Sequence, residues 1–210
     1  YCGSIVRSGG NISFAAAPPS LGGDANNNFI AINRGSIKTS GIDMQLAYKL
    51  PTDFVKEESG LAFNLLVSYL IDFKEQEIPG VTIDYAGTAG YFGEGLSASG
   101  GATHPEWKAT LDTAFTIGKF TISNRLRYTD GMSNRILKQF AGEAATGPKS
   151  VIYVDLAGEV KIDGLTLRAG VNNVFDKQPP QYSPNVQSGT DPALYDVIGR
   201  RAYVGARVKF

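Results

Sequence analysis

The side chains best suited to catalysis are few in this sequence. Its single histidine, His104, falls at the junction of a loop and a strand, where a surface histidine is expected rather than a general base. Asp155 and Glu159 stand four residues apart on one face of an alternating segment, as an acid and base pair would. Neighbouring cations instead predict a solvated charge ladder, formed with Lys161, Arg125 and Arg127. Because no Gly-x-Ser-x-Gly is present either, we predict that the chain is not an enzyme.

Cofactor and nucleic-acid sites are equally poorly supported. The only cysteine, Cys2, cannot form an internal disulfide and excludes cysteine-rich metal sites, so no metal or cofactor is predicted. Cys2 is either an unpaired thiol or the partner of a cysteine upstream. The 20 basic and 20 acidic residues cancel, which gives no electrostatic reason to expect nucleic acid as a partner.

Ligand contact is the better use of the aromatic residues in the long connections. Tyrosine and phenylalanine rings can stack on a ligand, and an arginine can pair with an anionic group. Packing of the loops on one another is the competing interpretation. The residues we predict to contact a small-molecule ligand are Tyr85, Tyr91, Phe92, Arg135, Tyr182 and Tyr195.

The closing segment, 199–210, shows which elements position these loops. From Arg201 onward its even positions are apolar and its odd positions are mostly polar or cationic, which predicts a strand with two unlike faces. The same alternation recurs along the chain. We predict strands near 29–50, 61–73, 107–117, 119–129, 151–162, 164–175 and 199–210, and a long loop over 1–28.

Charge, aromatic residues and loop lengths all favour a transmembrane barrel. The charged residues of the strand cores fall on the polar face, as expected where a basic residue on a lipid face costs roughly 2–4 kcal/mol. Connections at one end are short, whereas 74–106, 130–150 and 176–198 are long. A soluble sandwich would also alternate but needs no such asymmetry. Two aromatic girdles are predicted, one from Tyr48, Phe63, Phe115, Phe120 and Phe210, the other from Tyr69, Phe73, Trp107 and Tyr128.

A resemblance to a known family rests on three segments. Arg168-Ala169-Gly170-Val171-Asn172-Asn173-Val174-Phe175-Asp176-Lys177-Gln178-Pro179-Pro180 resembles the penultimate strand of TonB-dependent outer-membrane receptors, with its Asn-x-Phe-Asp box. Gly199-Arg200-Arg201 and Phe210 are similar to that family's last strand. Asn33-Arg34-Gly35 with Thr39-Ser40-Gly41-Ile42-Asp43 is similar to an upstream barrel strand, so the resemblance covers roughly residues 29–210.

The resemblance implies a fold, a location and partners. The fold is an all-β, antiparallel transmembrane β-barrel, of which this chain would be the C-terminal segment of about seven strands out of about 22. The implied function is uptake of a scarce nutrient across the outer membrane of a Gram-negative cell, energised through the TonB complex. Such a nutrient is a ferric siderophore, cobalamin or a glycan. Phe210 would be the signal read by the barrel-assembly machinery, and the lipid bilayer would surround the wall.

Two departures from the family leave alternatives open. The sequence contains neither the family's plug domain nor its energy-coupling segment, which predicts that the rest of a receptor precedes it. A small autonomous barrel, a passive pore or adhesin using residues 1–28 as an eighth strand, is the structural alternative. A membrane-embedded hydrolase using His104 or a carboxylate on the polar face is the third hypothesis.

Overall fold

The computed structural model describes residues 7–8, 11–12, 36–52, 59–78, 81–91, 102–134, 147–182 and 189–209. Within these ranges the chain forms thirteen strands and no α-helix. Eight of the strands form the main sheet, and its long strands between Ser59 and Val208 pair antiparallel. The predicted all-β, antiparallel class is therefore confirmed.

The contacts of the chain divide it into two compact units. The first comprises residues 1–36 and 76–81, and the second comprises residues 37–75 and 82–210. In the first unit, β1 (Arg7–Ser8) pairs antiparallel with β2 (Asn11–Ile12). The rest of the loop predicted over 1–28 lies outside the described residues.

Seven long strands follow one another through the main sheet in chain order. They are β3 (Ser36–Pro51), β4 (Ser59–Ile78), β8 (Trp107–Ile117), β9 (Phe120–Thr129), β11 (Val151–Ile162), β12 (Leu165–Asn172) and β13 (Arg201–Val208). Each pairs with the previous long strand and the next, so that β3 and β13 are the two edges. Every one of the seven alternating sequence segments overlaps one of these strands, because period two is how a strand separates two unlike faces.

Four short strands occupy connections that the sequence analysis treats as loops. They are β5 (Val81–Asp84), β6 (Thr88–Tyr91), β7 (Ala102–His104) and β10 (Ser133–Asn134). β5 pairs with β4, which itself runs on to Ile78, and β6 pairs with both β7 and β10. The long loops predicted over 74–106 and 130–150 therefore contain short strands. These strands have two to four residues each, which is too short for a period of two to identify a strand in the sequence.

Two tight turns join neighbouring strands at the end with short connections. Gly118 has a φ of 51° in the turn between Ile117 and Phe120. Asp163 and Gly164 have φ values of 41° and 87°, the two positive angles of a type I′ hairpin. Both connections are two-residue turns, in keeping with the short connections expected at this end, and they hold the register of the strands that they join.

β3 changes faces at Gly41. Ser40 Oγ donates to Asp72 Oδ2 at 3.0 Å, whereas Gln45 Nε2 donates to Asn64 Oδ1 at 3.1 Å. Asp72 and Asn64 are both even-numbered and share one face of β4, whereas their partners on β3 are even-numbered (Ser40) and odd-numbered (Gln45). This change of parity requires one extra residue in β3 between Ser40 and Gln45, which is a β-bulge. A Cβ on Gly41 would lie 2.7 Å from the Tyr69 carbonyl oxygen, so the backbones approach closely at the bulge.

β12 ends in a tight turn formed by the Asn-x-Phe-Asp box, residues 173–176. β12 stops at Asn172, and Asn173 and Asp176 both have a φ of 51°. In the side-chain amide of Asn173, Oδ1 accepts from the Lys177 backbone nitrogen at 2.8 Å and Nδ2 donates to the Lys177 backbone carbonyl at 3.0 Å. Asp176 Oδ1 accepts from the Arg200 nitrogen at 2.9 Å. The strand predicted over 164–175 therefore ends three residues early, because the box ties the chain leaving β12 to the chain entering β13.

The two faces of the main sheet differ in chemistry. One face carries large apolar side chains that remain exposed, and the charged residues of β8, β9, β11, β12 and β13 do not share it. Examples are Ile42, Met44, Leu46, Tyr48, Phe120, Ile122, Ile152, Leu156, Val204 and Val208. The opposite face carries the charged residues of these five strands. On β4, Glu75 follows Phe73 by two residues and therefore falls on the face of Phe73. The described residues contain no helix long and apolar enough to cross a membrane.

Candidate functional site on the polar face

A row of polar side chains crosses the middle of the sheet. Gln45 bonds to Asn64, which stands opposite Asp112 in the register of β4 and β8. Arg125 grips Asp112 with two nitrogens, Nε to Oδ1 at 2.6 Å and Nη2 to Oδ2 at 3.3 Å. Arg125 is in turn opposite Asp155 on β11. The row thus runs over five strands because period two places one polar residue of each on the same face.

Arg127 anchors a second group nearer the long connections. It grips Asp155 with two bonds of 3.1 Å each, and its guanidinium lies 5.1 Å from the centre of the Tyr153 ring. Asp155 Oδ1 also accepts from the Asn173 nitrogen at 2.8 Å. Glu159 pairs separately with Lys161 at 3.3 Å. Asp155 and Glu159 are therefore paired with cations, as the predicted charge ladder requires, and not with each other.

A cavity of about 630 Å³ lies on the polar face. Its walls include Lys49 of the first long strand, Asp112 and Arg125 in the middle, and Tyr203 of the last. Because residues of both edge strands line one cavity, the sheet curves around its polar face. The apolar face is then the convex one.

Arg168 lies in this cavity against an aromatic ring. Its guanidinium lies 5.7 Å from the centre of the Tyr203 ring, and within the described ranges it forms no ion pair or hydrogen bond. Tyr203 stands directly opposite Gly170, where a Cβ would lie 2.6 Å from the ring. The glycine thus leaves the space that the ring fills, an arrangement that also stabilises a glycine within a strand.

Asp196 links the last long connection to the main sheet. Its side chain is only 5% exposed, and Oδ2 lies 3.8 Å from both Arg127 Nη2 and Arg201 Nη2. Oδ1 accepts from the Ile198 nitrogen at 3.2 Å, and the Asp196 nitrogen donates to the Tyr153 hydroxyl at 3.3 Å. The carboxylate therefore fixes the chain just before β13 against β9 and β11.

The connections pack on one another through a small core of their own. It comprises Ala89, Met132, Val151, Tyr153, Tyr182 and Tyr195, with Leu194 packed against them. Asn134, fully buried, donates from Nδ2 to the Tyr182 carbonyl at 2.7 Å. Thr103 donates to Asp191 at 2.5 Å. Residues that are distant in sequence thus form one loop layer, which period analysis has no means of detecting.

The structure places the predicted ligand residues as follows. Tyr85, Tyr182 and Tyr195 are buried, at 2%, 7% and 3% exposure, and Tyr182 and Tyr195 belong to the core of the loop layer. Tyr91 ends β6, and its side chain lies outside the described residues. Phe92, Arg135 and Phe210 also lie outside them. The buried packing corresponds to the competing interpretation in the sequence analysis, and a role of these residues in ligand binding stays a prediction.

Burial changes the acidity of two of these tyrosines. It raises the pKa of Tyr182 to about 12 and raises the pKa of Tyr195 still further, so both hydroxyls stay neutral. Neither hydroxyl has a hydrogen-bond partner among the residues that the structure describes. The Thr190 hydroxyl and Asp196 Oδ2 are buried without one as well. These atoms are the least satisfied polar groups in the described part of the chain.

His104 lies in the loop layer and not in an acid and base constellation. Its ring stacks on Phe73 with centroids 4.0 Å apart and planes 21° apart. Burial lowers the pKa of His104, while the charge of Glu75 raises it by a smaller amount. Among the described residues no group of three histidine, cysteine or carboxylate side chains is arranged to hold a metal ion.

Sequence reasoning missed the two contacts that shape the polar face most. Arg168 and Gly170 are two residues apart, so the sequence predicts that they share one face of the strand. That Tyr203 stands opposite Gly170 could not be predicted, because it follows from the register of β12 with β13. The role of Asp196 depends on two arginines from other strands. Comparison with known proteins adds no assignment, since no protein-family model and no curated protein matches the chain.

Proposed function

We propose that this chain is the C-terminal part of the wall of a TonB-dependent outer-membrane receptor, which takes up a scarce nutrient. One observation carries the proposal: the sheet curves around a polar face and leaves its apolar face convex and exposed. A soluble barrel or sandwich buries its apolar side chains between or inside its sheets. The arrangement here is the inverse, and it suits a wall with lipid outside and water inside.

Details of the convex face support the same proposal. Val204 and Ile122 are 86% and 65% exposed, an arrangement that wastes apolar surface in water but not in lipid. Thr113 and Asn124 stand opposite each other on this face and hydrogen-bond together, so two polar groups there satisfy each other. Tyr69 stacks on Trp107 with ring centroids 4.3 Å apart, at the end where an interfacial girdle is predicted.

The edges of the sheet support membership of a wider wall. β3 and β13 are exposed along their whole lengths, and neither has a second long partner among the described residues. An unpaired strand edge in lipid would leave backbone groups without hydrogen bonds, so each edge calls for a further strand. A receptor of about 22 strands supplies both partners.

The small autonomous barrel stays the second candidate, and the shared cavity is what favours it. Lys49 and Tyr203 line the same space although they belong to opposite edges of the sheet, so little further curvature would bring those edges together. Such a barrel would be a passive pore or an adhesin. It would need β3 to pair with β13 or with a strand formed by residues 1–28.

The test is the size and heat sensitivity of the native protein in isolated outer membranes. Folded barrels migrate differently on a gel before and after heating, so we expect a heat-shifted band several times larger than the 22.4 kDa of this chain. A heat-shifted band near 22.4 kDa would replace the receptor with the small barrel. Absence of the protein from outer membranes would exclude both. For the receptor, nutrient uptake should also stop when the proton gradient is collapsed.

A further inference from the structure

We infer that the cavity on the polar face binds a small anion, through a carboxylate or phosphate group that pairs with Arg168. The cavity, of about 630 Å³, falls in the size range of small-molecule sites. The inference deepens the proposed function, on which it rests for its biological use, because it names the chemical class of solute that this wall retains. The first support for it is the charge of the cavity wall.

Positive charge is in excess around the cavity. Its lining includes the cations Lys49, Arg125 and Arg168 and the carboxylates Asp112 and Asp155. Both carboxylates are already gripped by arginines, Asp112 by Arg125 and Asp155 by Arg127. A cation entering the cavity would therefore compete with a guanidinium for both of these carboxylates. Glu159 stands opposite Arg168 in the register of β11 and β12, but it pairs with Lys161, so an anion at Arg168 competes with a carboxylate that already has a cation.

Arg168 and Lys49 supply unpaired positive charge. Neither forms an ion pair or a hydrogen bond with another described residue. They approach the cavity from opposite sides, Lys49 from β3 and Arg168 from β12. Lysine acts as a point charge, and the planar fork of arginine matches two oxygens of a carboxylate or phosphate.

Arg168 is positioned before any ligand arrives. Its guanidinium rests over the Tyr203 ring at 5.7 Å, and that ring fills the space that Gly170 leaves open. Stacking occupies the face of the guanidinium and leaves its N–H groups, which point outward in the guanidinium plane, available to donate. Asn172 and Asn64 also line the cavity and provide further donors.

The test is titration calorimetry on the full native chain extracted from outer membranes in detergent at low salt. The probes are inorganic phosphate and citrate. We expect binding of at least one of them, and Arg168→Gln should weaken it by at least about tenfold, the usual effect of losing a charge-assisted pair. Lys49→Gln should weaken it by a smaller factor. Binding of citrate alone would identify a carboxylate site, and binding of phosphate alone a phosphate site.

The matched control is Arg207→Gln. Arg207 lies on the same polar face of β13, opposite Thr166, but does not line the cavity. The affinity should not change in this variant. An equal loss in the Arg207 and Arg168 variants would overturn the inference, because it would show attraction to overall charge and no defined site. Absence of binding of both probes would overturn it as well.

A second variant covers the case in which Arg168→Gln does not fold, as judged by its heat-shifted band. Gly170→Ala keeps the charge but places a Cβ 2.6 Å from the Tyr203 ring, so it should displace the ring and weaken binding. Unchanged affinity in both the Gly170→Ala and the Lys49→Gln variants would sink the inference. A heat-shifted protein that binds no anion would contradict the anion site but not the proposed outer-membrane function. Anion binding by a protein that is absent from outer membranes would contradict the proposed function but not the anion site.

Discussion

At the scale of single residues, the loop layer combines tight burial with unsatisfied polar atoms. The Tyr195 hydroxyl is buried and makes no hydrogen bond with any described residue, whereas the hydroxyl of Tyr153, in the same core, accepts from the Asp196 nitrogen. A buried polar group without a partner costs about 1–3 kcal/mol. Two chemically identical hydroxyls in one small core therefore contribute to stability with opposite signs.

Replacing each of these tyrosines by phenylalanine tests the difference. We expect Tyr195→Phe to leave the stability unchanged or raise it by about 1 kcal/mol, and Tyr153→Phe to lower it by about 1 kcal/mol. Denaturant unfolding of the detergent-extracted protein gives both values. A loss in Tyr195→Phe as large as in Tyr153→Phe would show that the Tyr195 hydroxyl has a partner, such as a bound solute.

His104 gives the loop layer a dependence on pH. Its pKa in the folded chain is lowered by burial, so the unfolded chain binds more protons between that value and about 6.5. Stability from the neutral ring is thus complete above about pH 6.5 and is lost as the pH falls through this window. We expect hydrogen exchange at the Gly87 amide, which donates to the His104 carbonyl at 2.7 Å, to accelerate at acid pH.

The control for this pH dependence is His104→Phe. Phenylalanine keeps the stack on Phe73 and cannot titrate. Exchange at Gly87 should then lose its steep rise below about pH 6.5, after correction for the intrinsic pH dependence of exchange. The same steep rise in the variant would assign it to other groups, of which Glu75 is the charged neighbour of the ring.

At the scale of elements, the bulge in β3 decides which residues face the cavity. Without it, the residues after Gly41 would exchange faces, and Ile42, Met44 and Leu46 would turn to the polar side. The exchange also explains why Ile37, at an odd position, and Ile42, at an even one, are both exposed apolar residues. The apolar residues of β3 move from odd to even positions at Gly41, and the bulge keeps them on one face of the sheet.

Gly41→Ala tests the close approach that the bulge needs. The new Cβ would lie 2.7 Å from the Tyr69 carbonyl oxygen, so we expect a loss of about 1–3 kcal/mol in unfolding free energy. Gly60→Ala is the matched control, since a Cβ there would lie 3.8 Å from the Leu50 carbonyl oxygen. Equal stabilities of the two variants would contradict the bulge.

The elements also show where sequence reasoning succeeds and where it fails. Long strands could be predicted because lipid or water beside each face imposes period two on every residue, as in Trp107–Ile117. The turn at Asp163 and Gly164 has two positive φ values, a conformation that an Asp-Gly pair favours. The loop layer could not be predicted, since Met132 meets Tyr182 through contacts that no local pattern encodes. The phase change at Gly41 needed the partner strand to reveal it.

At the scale of the whole molecule, a membrane location predicts that arginine substitutions at neighbouring residues of one strand lower the stability by different amounts. Leu156 is 43% exposed on the convex face at the middle of β11, and Ala157, the next residue of the strand, falls on the opposite, polar face. In lipid, Leu156→Arg should cost about 2–4 kcal/mol and Ala157→Arg about 1 kcal/mol or less. Refolding into lipid vesicles across a denaturant series measures both. Similar small costs would mean that water, and not lipid, covers the convex face.

The order of the long strands has a consequence for how such a wall can change. Each strand pairs with its neighbours in the chain and no connection crosses another strand of the sheet. Duplicating or deleting a hairpin such as β8 with β9 therefore alters the width of the wall by two strands and leaves every other register intact. A meander of this kind lets a lineage enlarge or reduce its barrel by copying short gene segments, while the layer of connections diverges separately.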